Sequence, residues 1–98
     1  MIFTREQFDA IGPFHLDDFP LSTRNQDVMF EIFNRLPKRI QGNALIWGCS
    51  DTAVREDCFE YLCEKLLGMS IEDYYKSAIA ADYFDNGVEI ELDWDKLK

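Results

Sequence analysis

The stretch from residue 50 to residue 68, SDTAVREDCFEYLCEKLLG, constrains the fold most, because it predicts the longest and best-defined helix of the chain. Ser50 or Asp51 can cap its start, since a side-chain oxygen there can accept N–H groups of the first turn. Gly68 can end the helix in a left-handed conformation. At about 100° per residue, one side of this helix collects apolar side chains, namely Val54, Cys58, Phe59, Tyr61, Leu62 and Leu66.

The opposite side of the same helix is acidic. Glu56, Glu60 and Glu64, which we name the acid ridge, follow one another at every fourth position, with Asp57 beside them. Like charges at that spacing repel by about 0.2–0.5 kcal/mol per pair. A chain that carries such a ridge either keeps it for solubility or uses it on a cationic partner.

Cap signals and apolar periodicity elsewhere predict a mainly α fold, with four to five short helices packed as one domain over residues 1–98. One helix begins at Arg5, where Thr4 and Gln7 have the form of a capping box, and another runs from about Thr23 to Leu36. Residues 12–22 contain two prolines and predict an ordered loop across the core. Its alternating apolar side chains are Phe14, Leu16, Phe19 and Leu21.

The last third of the chain predicts a further helix and a strand. Ser70 can cap a helix that fades near Tyr83, and residues 85–87, Asp-Asn-Gly, are typical of a turn. Residues 88–94 then alternate apolar and acidic side chains, which predicts a strand with one wet face. A strand needs a partner, and residues 1–3 are the first candidate.

Residues 37–48 allow two interpretations. Ile40, Ala44 and Trp47 share one face of a helix, which we favour, whereas Gly42-Asn43 favours a loop followed by a short strand at residues 44–47. In the second case the fold is α+β, with strand 44–47 paired to strand 88–94.

The net charge of −9 is concentrated in one half of the chain. Residues 1–50 hold five basic and six acidic side chains, a balance of −1, whereas residues 51–98 hold five basic and thirteen acidic ones, a balance of −8. Such a surface repels the phosphates of nucleic acid and anionic membranes, so we expect neither as a direct partner. The natural complement is a basic protein.

The sequence carries no catalytic or metal-binding signature. Cys49, Cys58 and Cys63 lack the spacing of zinc ligands, and we expect them to be buried as small apolar side chains. A nucleophile pair of Cys49 or Cys58 with His15 would need a proximity that the sequence cannot show. The isolated glycines form no phosphate-binding loop, so no cofactor is expected. Three cysteines without a signal-like N-terminus, and no apolar run of membrane length, indicate a cytoplasmic protein.

The acidic side chains are therefore the candidate site. They could merge into one negative face that binds a partner, or they could serve solubility alone. The residues in question are Glu56, Asp57, Glu60, Glu64, Glu72, Asp73, Glu89, Glu91 and Asp93. The aromatic content of 14% exceeds what a small core readily hides, so we expect some rings at the surface as anchors.

In size, acidity, aromatic content and lack of catalytic residues, the chain resembles the small acidic proteins that phages encode to block host machinery, including anti-restriction and anti-CRISPR inhibitors. The resemblance implies a non-enzymatic inhibitor that covers a basic surface of a cytoplasmic protein, in one version as a mimic of nucleic-acid charge. The alternative is a structural or assembly protein that self-associates through exposed aromatics and the edge of strand 88–94.

Overall fold

The computed structural model describes residues 3–21 and 25–97. Over these ranges the chain forms six α-helices, with a π-helical turn that continues the fourth and a 3₁₀ turn near the end. The helices are α1 Arg5–Ile11, α2 Gln26–Arg35, α3 Lys38–Trp47, α4 Thr52–Leu62, α5 Ile71–Tyr75 and α6 Ala78–Asn86; the π turn is Cys63–Leu67 and the 3₁₀ turn is Trp94–Leu97. The prediction of a mainly helical fold is confirmed.

The helix starts follow the capping residues. The hydroxyl of Thr4 accepts the Gln7 N–H at 3.1 Å, and the Gln7 side chain accepts the Thr4 N–H at 3.0 Å, which confirms the capping box of α1. Helix α2 begins at Gln26, capped by Asn25, rather than at the predicted Thr23, which lies outside the described residues. Its end at Arg35 agrees with the prediction, because Pro37 disfavours helical geometry at the residue before it.

The helical interpretation of residues 37–48 is confirmed and the strand at 44–47 is wrong. Ala44 is buried within α3, and the Gln41 side chain donates to the Phe33 carbonyl at 2.8 Å, which ties α3 to α2. A strand at this position would have broken both arrangements. The helical spacing of the apolar residues was therefore the correct signal here, and the turn signal of Gly42-Asn43 was not.

The central helix α4 is capped as predicted but ends differently. Asp51 accepts the Val54 N–H at 3.1 Å. The last turn, residues 63–67, widens to a π turn that ends at Gly68, whose φ of 66° only glycine adopts without strain. The Met69 N–H then donates to the Cys63 carbonyl at 3.3 Å, which satisfies one of the last carbonyls of the turn.

One predicted helix is two. Ser70 caps α5, as expected, but the helix stops at Tyr75. The Ser77 hydroxyl donates to the Tyr74 carbonyl at 2.7 Å and accepts the Ala80 N–H at 3.3 Å, so it closes α5 and caps α6 at once. Serine competes with the helical backbone in this way, which the apolar spacing of residues 71–79 did not reveal.

The predicted β element is wrong. Residues 88–93 have no regular secondary structure. The Ile90 N–H donates to the Pro20 carbonyl at 2.8 Å, and this backbone bond ties the segment to the loop of residues 12–21. A strand needs a ladder of such bonds with a second strand, and the part of the chain that the structure describes contains none. Phe3 instead packs edge-on against Phe33 of α2 at 4.8 Å, whereas residues 1–2 lie outside the described residues.

The loop of residues 12–21 crosses the core, as predicted. Its four apolar side chains, Phe14, Leu16, Phe19 and Leu21, are all buried. The Gln26 side chain holds the loop against α2, because its amide donates to the Phe14 carbonyl at 2.8 Å and its oxygen accepts the Phe14 N–H at 3.2 Å.

Candidate functional site

Helix α4 and the π turn that continues it present the acid ridge to solvent. Glu56, Glu60 and Glu64 are exposed, while Val54 and Leu62 on the opposite side are buried in the core. The predicted division of this helix into a packing side and an acidic side is therefore correct. The surface on each flank of the ridge contains a hollow.

The first hollow, which we name the tyrosine hollow, lies where α4 meets the loop 12–21 and α5. It has a volume of about 240 Å³. It is lined by His15, Leu16, Asp17, Asp18, Thr52, Arg55, Glu56, Phe59 and Tyr75. One wall is therefore aromatic and the rim is rich in carboxylates.

Three tyrosine hydroxyls hold the acidic part of the loop in place. Tyr75 donates to the Asp18 carboxylate at 2.9 Å, Tyr74 to the Asp18 carbonyl at 2.5 Å, and Tyr83 to the Asp17 carbonyl at 3.3 Å. We name these bonds the tyrosine clamp. The sequence reasoning missed Asp17 and Asp18 as site residues. The only signal was their position in an aromatic-rich loop, because the tyrosines follow 56 to 66 residues later.

The hydroxyls of Tyr74 and Tyr75 are neutral donors at ordinary pH. Burial, and then the hydrogen bond to Asp18, raise the pKa of Tyr75 to about 12. Burial likewise raises the pKa of Tyr74 well above its usual range. The bonds that these two hydroxyls donate to Asp18 therefore persist over the whole physiological pH range.

The carboxylates of the tyrosine hollow are not neutralised. Asp17, Asp18 and Glu56 form no ion pair within residues 3–21 and 25–97. Arg55 lines the same hollow, yet it too lacks an ion pair in those ranges, and its Nε atom is buried without a hydrogen-bond partner. Counted without His15, three negative charges and one positive charge leave the lining at −2.

Exposed rings extend the aromatic wall of this hollow. The Tyr75 ring stacks on Phe84 of α6 with centroids 6.5 Å apart and planes 10° apart. Phe84 and Val88 are each 52% exposed. The expectation of surface aromatics is confirmed on this side of the molecule.

The second hollow, which we name the tryptophan groove, lies between α3 and α4. It has a volume of about 330 Å³ and is lined by Asn43, Trp47, Asp51, Ala53, Val54 and Asp57. Ile46 and Trp47, at the end of α3, are 70% and 67% exposed. Its acids are already engaged, since Asp57 faces Arg39 at 3.8 Å and Asp51 caps α4.

The acid ridge separates the two hollows. At about 100° per residue, Thr52, Arg55 and Phe59 lie on one flank of the ridge, and Ala53 and Asp57 lie on the other. A partner that covers the ridge therefore meets one exposed aromatic side chain on each side.

The remaining predicted acids occupy other places. Glu72 and Asp73 lie in the first turn of α5, where Glu72 faces Lys76 at 3.7 Å. Glu89, Glu91 and Asp93 are exposed along residues 88–93. Glu91 and Asp93 line a separate hollow beside Trp94. The structure brings Glu56 together with two aspartates that were not selected, rather than with these acids.

The cysteines are buried as expected. Cys49, Cys58 and Cys63 are free thiols, and burial raises their pKa values to about 11, about 12 and about 12. A thiol with a raised pKa is a poor nucleophile and a poor metal ligand, because the thiolate reacts. Within the described ranges, no cluster of His, Cys, Asp and Glu has the arrangement of a metal site.

Neither a protein-family model, nor a curated protein, nor a solved structure matches this chain. In the described parts of the chain, no helix is long and apolar enough to cross a membrane. What the protein binds has therefore to be inferred from its surface.

Proposed function

We propose that the protein is a non-enzymatic binding module whose acid ridge covers a basic surface of a partner protein. One observation carries this proposal: the ridge lies between two hollows, and an exposed aromatic side chain stands in the wall of each. These side chains are Trp47, 67% exposed, and Tyr75, 48% exposed.

The two kinds of side chain have different tasks in such an interface. The glutamates of the ridge attract a basic surface over a distance and exclude acidic competitors. The rings supply buried contact area, and Trp and Tyr are the residues on which binding energy most often concentrates. Ile46 and Trp47 expose apolar surface next to each other, which is typical of an interaction site.

The finer version of the proposal concerns the partner and the compartment. A basic surface that accepts an acidic ridge with aromatic flanks is commonly one that binds nucleic acid, so the protein would act as an inhibitor by occupying that surface. The resemblance to small acidic phage inhibitors supports this version. Three buried free thiols suit a reducing cytoplasm, where we place the interaction.

Affinity capture with charge variants tests the proposal. The wild type is compared with Glu56→Gln/Glu60→Gln/Glu64→Gln and with a matched control, Glu6→Gln/Asp82→Asn/Asp85→Asn. Both triple variants change the net charge from −9 to −6 at exposed positions. A cytoplasmic lysate is applied at about 0.05 M and about 0.5 M salt, and bound proteins are identified by mass spectrometry.

The expected result is one basic protein that the wild type and the control retain at low salt and that the ridge variant does not. High salt should weaken its retention, and addition of nucleic acid should displace it if the finer version is right. Equal retention by the ridge variant and the wild type would refute the ridge as the interface.

The second candidate, self-association, is favoured by the stacked and exposed Tyr75 and Phe84 beside Val88. The predicted edge of strand 88–94 no longer supports self-association, because residues 88–93 do not form a strand. Light scattering across a dilution series separates the two candidates. A stable symmetric oligomer that persists on dilution supports self-association, and a monomer at all concentrations refutes it.

A further inference from the structure

We propose that the tyrosine hollow receives an arginine side chain from a basic segment of the partner protein; this rests on the proposed function. The guanidinium would lie against the Tyr75 ring and pair with the carboxylates of Asp18 and Glu56. Three features of the hollow lead to this occupant: its size, its aromatic wall and its unneutralised rim.

The size of the hollow fits one side chain. Its volume of about 240 Å³ is below the range of about 300–1,000 Å³ that cofactors and drug-sized ligands occupy. The Tyr75 ring in its wall is 48% exposed and is held by its bond to Asp18, so the wall is formed before a ligand arrives. A pre-formed wall reduces the entropy that binding must offset.

The chemistry of the lining selects a guanidinium. Arginine stacks its plane on an aromatic ring and forms paired bonds to carboxylates, whereas a lysine ammonium is a point charge with a stronger hydration shell. The lining charge of −2 favours a cation despite Arg55, which forms no ion pair with the rim in the described ranges. An arginine in the hollow would reduce that charge to −1.

The same chain already holds one of its own arginines in this way. The guanidinium of Arg5 lies 5.9 Å from the centroid of the Phe30 ring and bonds to the carboxylates of Asp9, at 3.0 Å, and Asp27. An aromatic ring with two carboxylates is the set that the tyrosine hollow offers. In the hollow, however, no cation from the described part of the chain, Arg55 included, forms an ion pair with the carboxylates.

The test is an NMR titration of the isotope-labelled protein with small probes. The probes are N-acetyl-L-arginine methylamide, the corresponding lysine compound, and the citrulline compound, which has the shape of arginine without its charge. The arginine probe should shift the amide signals of Asp18, Glu56 and Tyr75 in a saturable way. It should bind at least about threefold more tightly than lysine, as a ring contact of modest strength implies. The citrulline probe should not saturate.

Variants locate the binding. Tyr75→Leu should weaken the arginine probe about fivefold, while Tyr75→Phe, which keeps the ring but loses the bond to Asp18, should weaken it less than Tyr75→Leu does. Glu56→Gln should weaken it, and Asp85→Asn, an exposed acid on α6, should not. A thermal melt checks that each variant is folded. If Tyr75→Leu is unfolded, the site is tested by the pair Glu56→Gln, which should weaken arginine binding, and Asp85→Asn, which should not.

Several results would overturn the inference. These are equal saturation by arginine and citrulline, arginine shifts confined to the tryptophan groove, or no saturable shift at all. If such a result accompanies ridge-dependent capture of a basic protein, the hollow is not an arginine site but the proposed function stands. Saturable arginine binding without ridge-dependent capture would refute the proposed function and leave the hollow as a cation site.

Discussion

Two irregular segments of this protein, residues 12–21 and residues 88–93, have the same alternation of apolar and polar side chains but opposite degrees of attachment. In the first, Phe14 and Phe19 are fully buried. In the second, Val88 is exposed, Ile90 and Leu92 are only partly buried, and Glu89, Glu91 and Asp93 face solvent. Alternation therefore indicated the inward side chains of the first segment and only two of the three in the second, and it did not indicate how firmly either segment is held.

Hydrogen bonds account for the difference. The loop 12–21 receives the two bonds of Gln26 and the three hydroxyls of the tyrosine clamp. Among the backbone bonds of the described residues, the segment 88–93 donates two: the Ile90 N–H to the Pro20 carbonyl of that loop, and the Val88 N–H to the Asp82 carbonyl of α6. A segment forms a strand only when a neighbouring strand pairs with its backbone N–H and C=O groups. A loop without such a neighbour can be held in place by side chains that hydrogen-bond to its backbone.

This contrast changes which acidic side chains are the better candidates for binding a cation. Glu89, Glu91 and Asp93, which the sequence selected, lie on the loosely attached segment. Asp17 and Asp18, which it did not select, lie where the tyrosine clamp holds their backbone carbonyls, and the Asp18 carboxylate itself accepts the Tyr75 hydroxyl. A fixed carboxylate binds a cation with a smaller loss of conformational entropy, so under the proposed function the loop would provide the more selective part of the surface.

The largest expected difference between the segments is in core truncations. Phe19→Ala should lower the free energy of unfolding by about 3–5 kcal/mol, because a fully buried ring leaves a cavity. Leu92→Ala, at a partly buried position, should lower it by about 1 kcal/mol. Urea denaturation measures both. Equal losses would show that the segment 88–93 is as much a part of the core as the loop.

A smaller effect is expected from the side chain that holds the loop to α2. Gln26→Ala removes the bonds to the Phe14 N–H and carbonyl and should lower the free energy of unfolding by about 1–3 kcal/mol. Hydrogen exchange provides the structural readout: the amides of residues 12–21 should exchange faster, while those of residues 88–93 should not change. Unchanged exchange in the loop would mean that the tyrosine clamp alone fixes it.

The tyrosine clamp itself contributes less per bond. Tyr74→Phe leaves the buried ring in place and removes the hydroxyl that donates to the Asp18 carbonyl at 2.5 Å. We expect a loss of about 0.5–1.5 kcal/mol in the free energy of unfolding. The amide signal of Asp18 should shift, and that of Glu91 should not. A stability equal to wild type, with no shift at Asp18, would contradict the clamp.

Local signals in the sequence were sufficient for most of the fold. The Thr4 capping box, the Asp51 and Ser70 caps and the Gly68 terminus all formed as expected, because each depends on neighbours within a few residues. The failures have two causes. Strand 88–94 needed a distant partner, whereas the break at Ser77 depends on a hydroxyl that bonds both the Tyr74 carbonyl and the Ala80 N–H in place of the continuous helical backbone.

The candidate site was predictable only in part, because part of it depends on contacts between residues far apart in the chain. The ridge of Glu56, Glu60 and Glu64 follows from helical spacing alone, and the structure places it at the surface as expected. The approach of Tyr75 to Asp18 joins residues 57 positions apart. No spacing rule connects them, since the contact depends on how α5 packs against the loop.

The smallest expected effect is a pH dependence that only the loop should show. The pKa of Tyr75 is raised from 10.0 to about 12 in the folded protein, by burial first and then by its bond to Asp18. Above pH 10 the unfolded chain loses this proton while the folded chain keeps it, so the stability that Tyr75 contributes declines between pH 10 and about 12. The difference in free energy of unfolding between wild type and Tyr75→Phe should therefore shrink from about pH 8 to about pH 11. The difference between wild type and Leu92→Ala should stay constant, because no titrating group is removed there. A Tyr75→Phe difference that is constant or grows with pH would show that the clamp does not depend on the neutral hydroxyl.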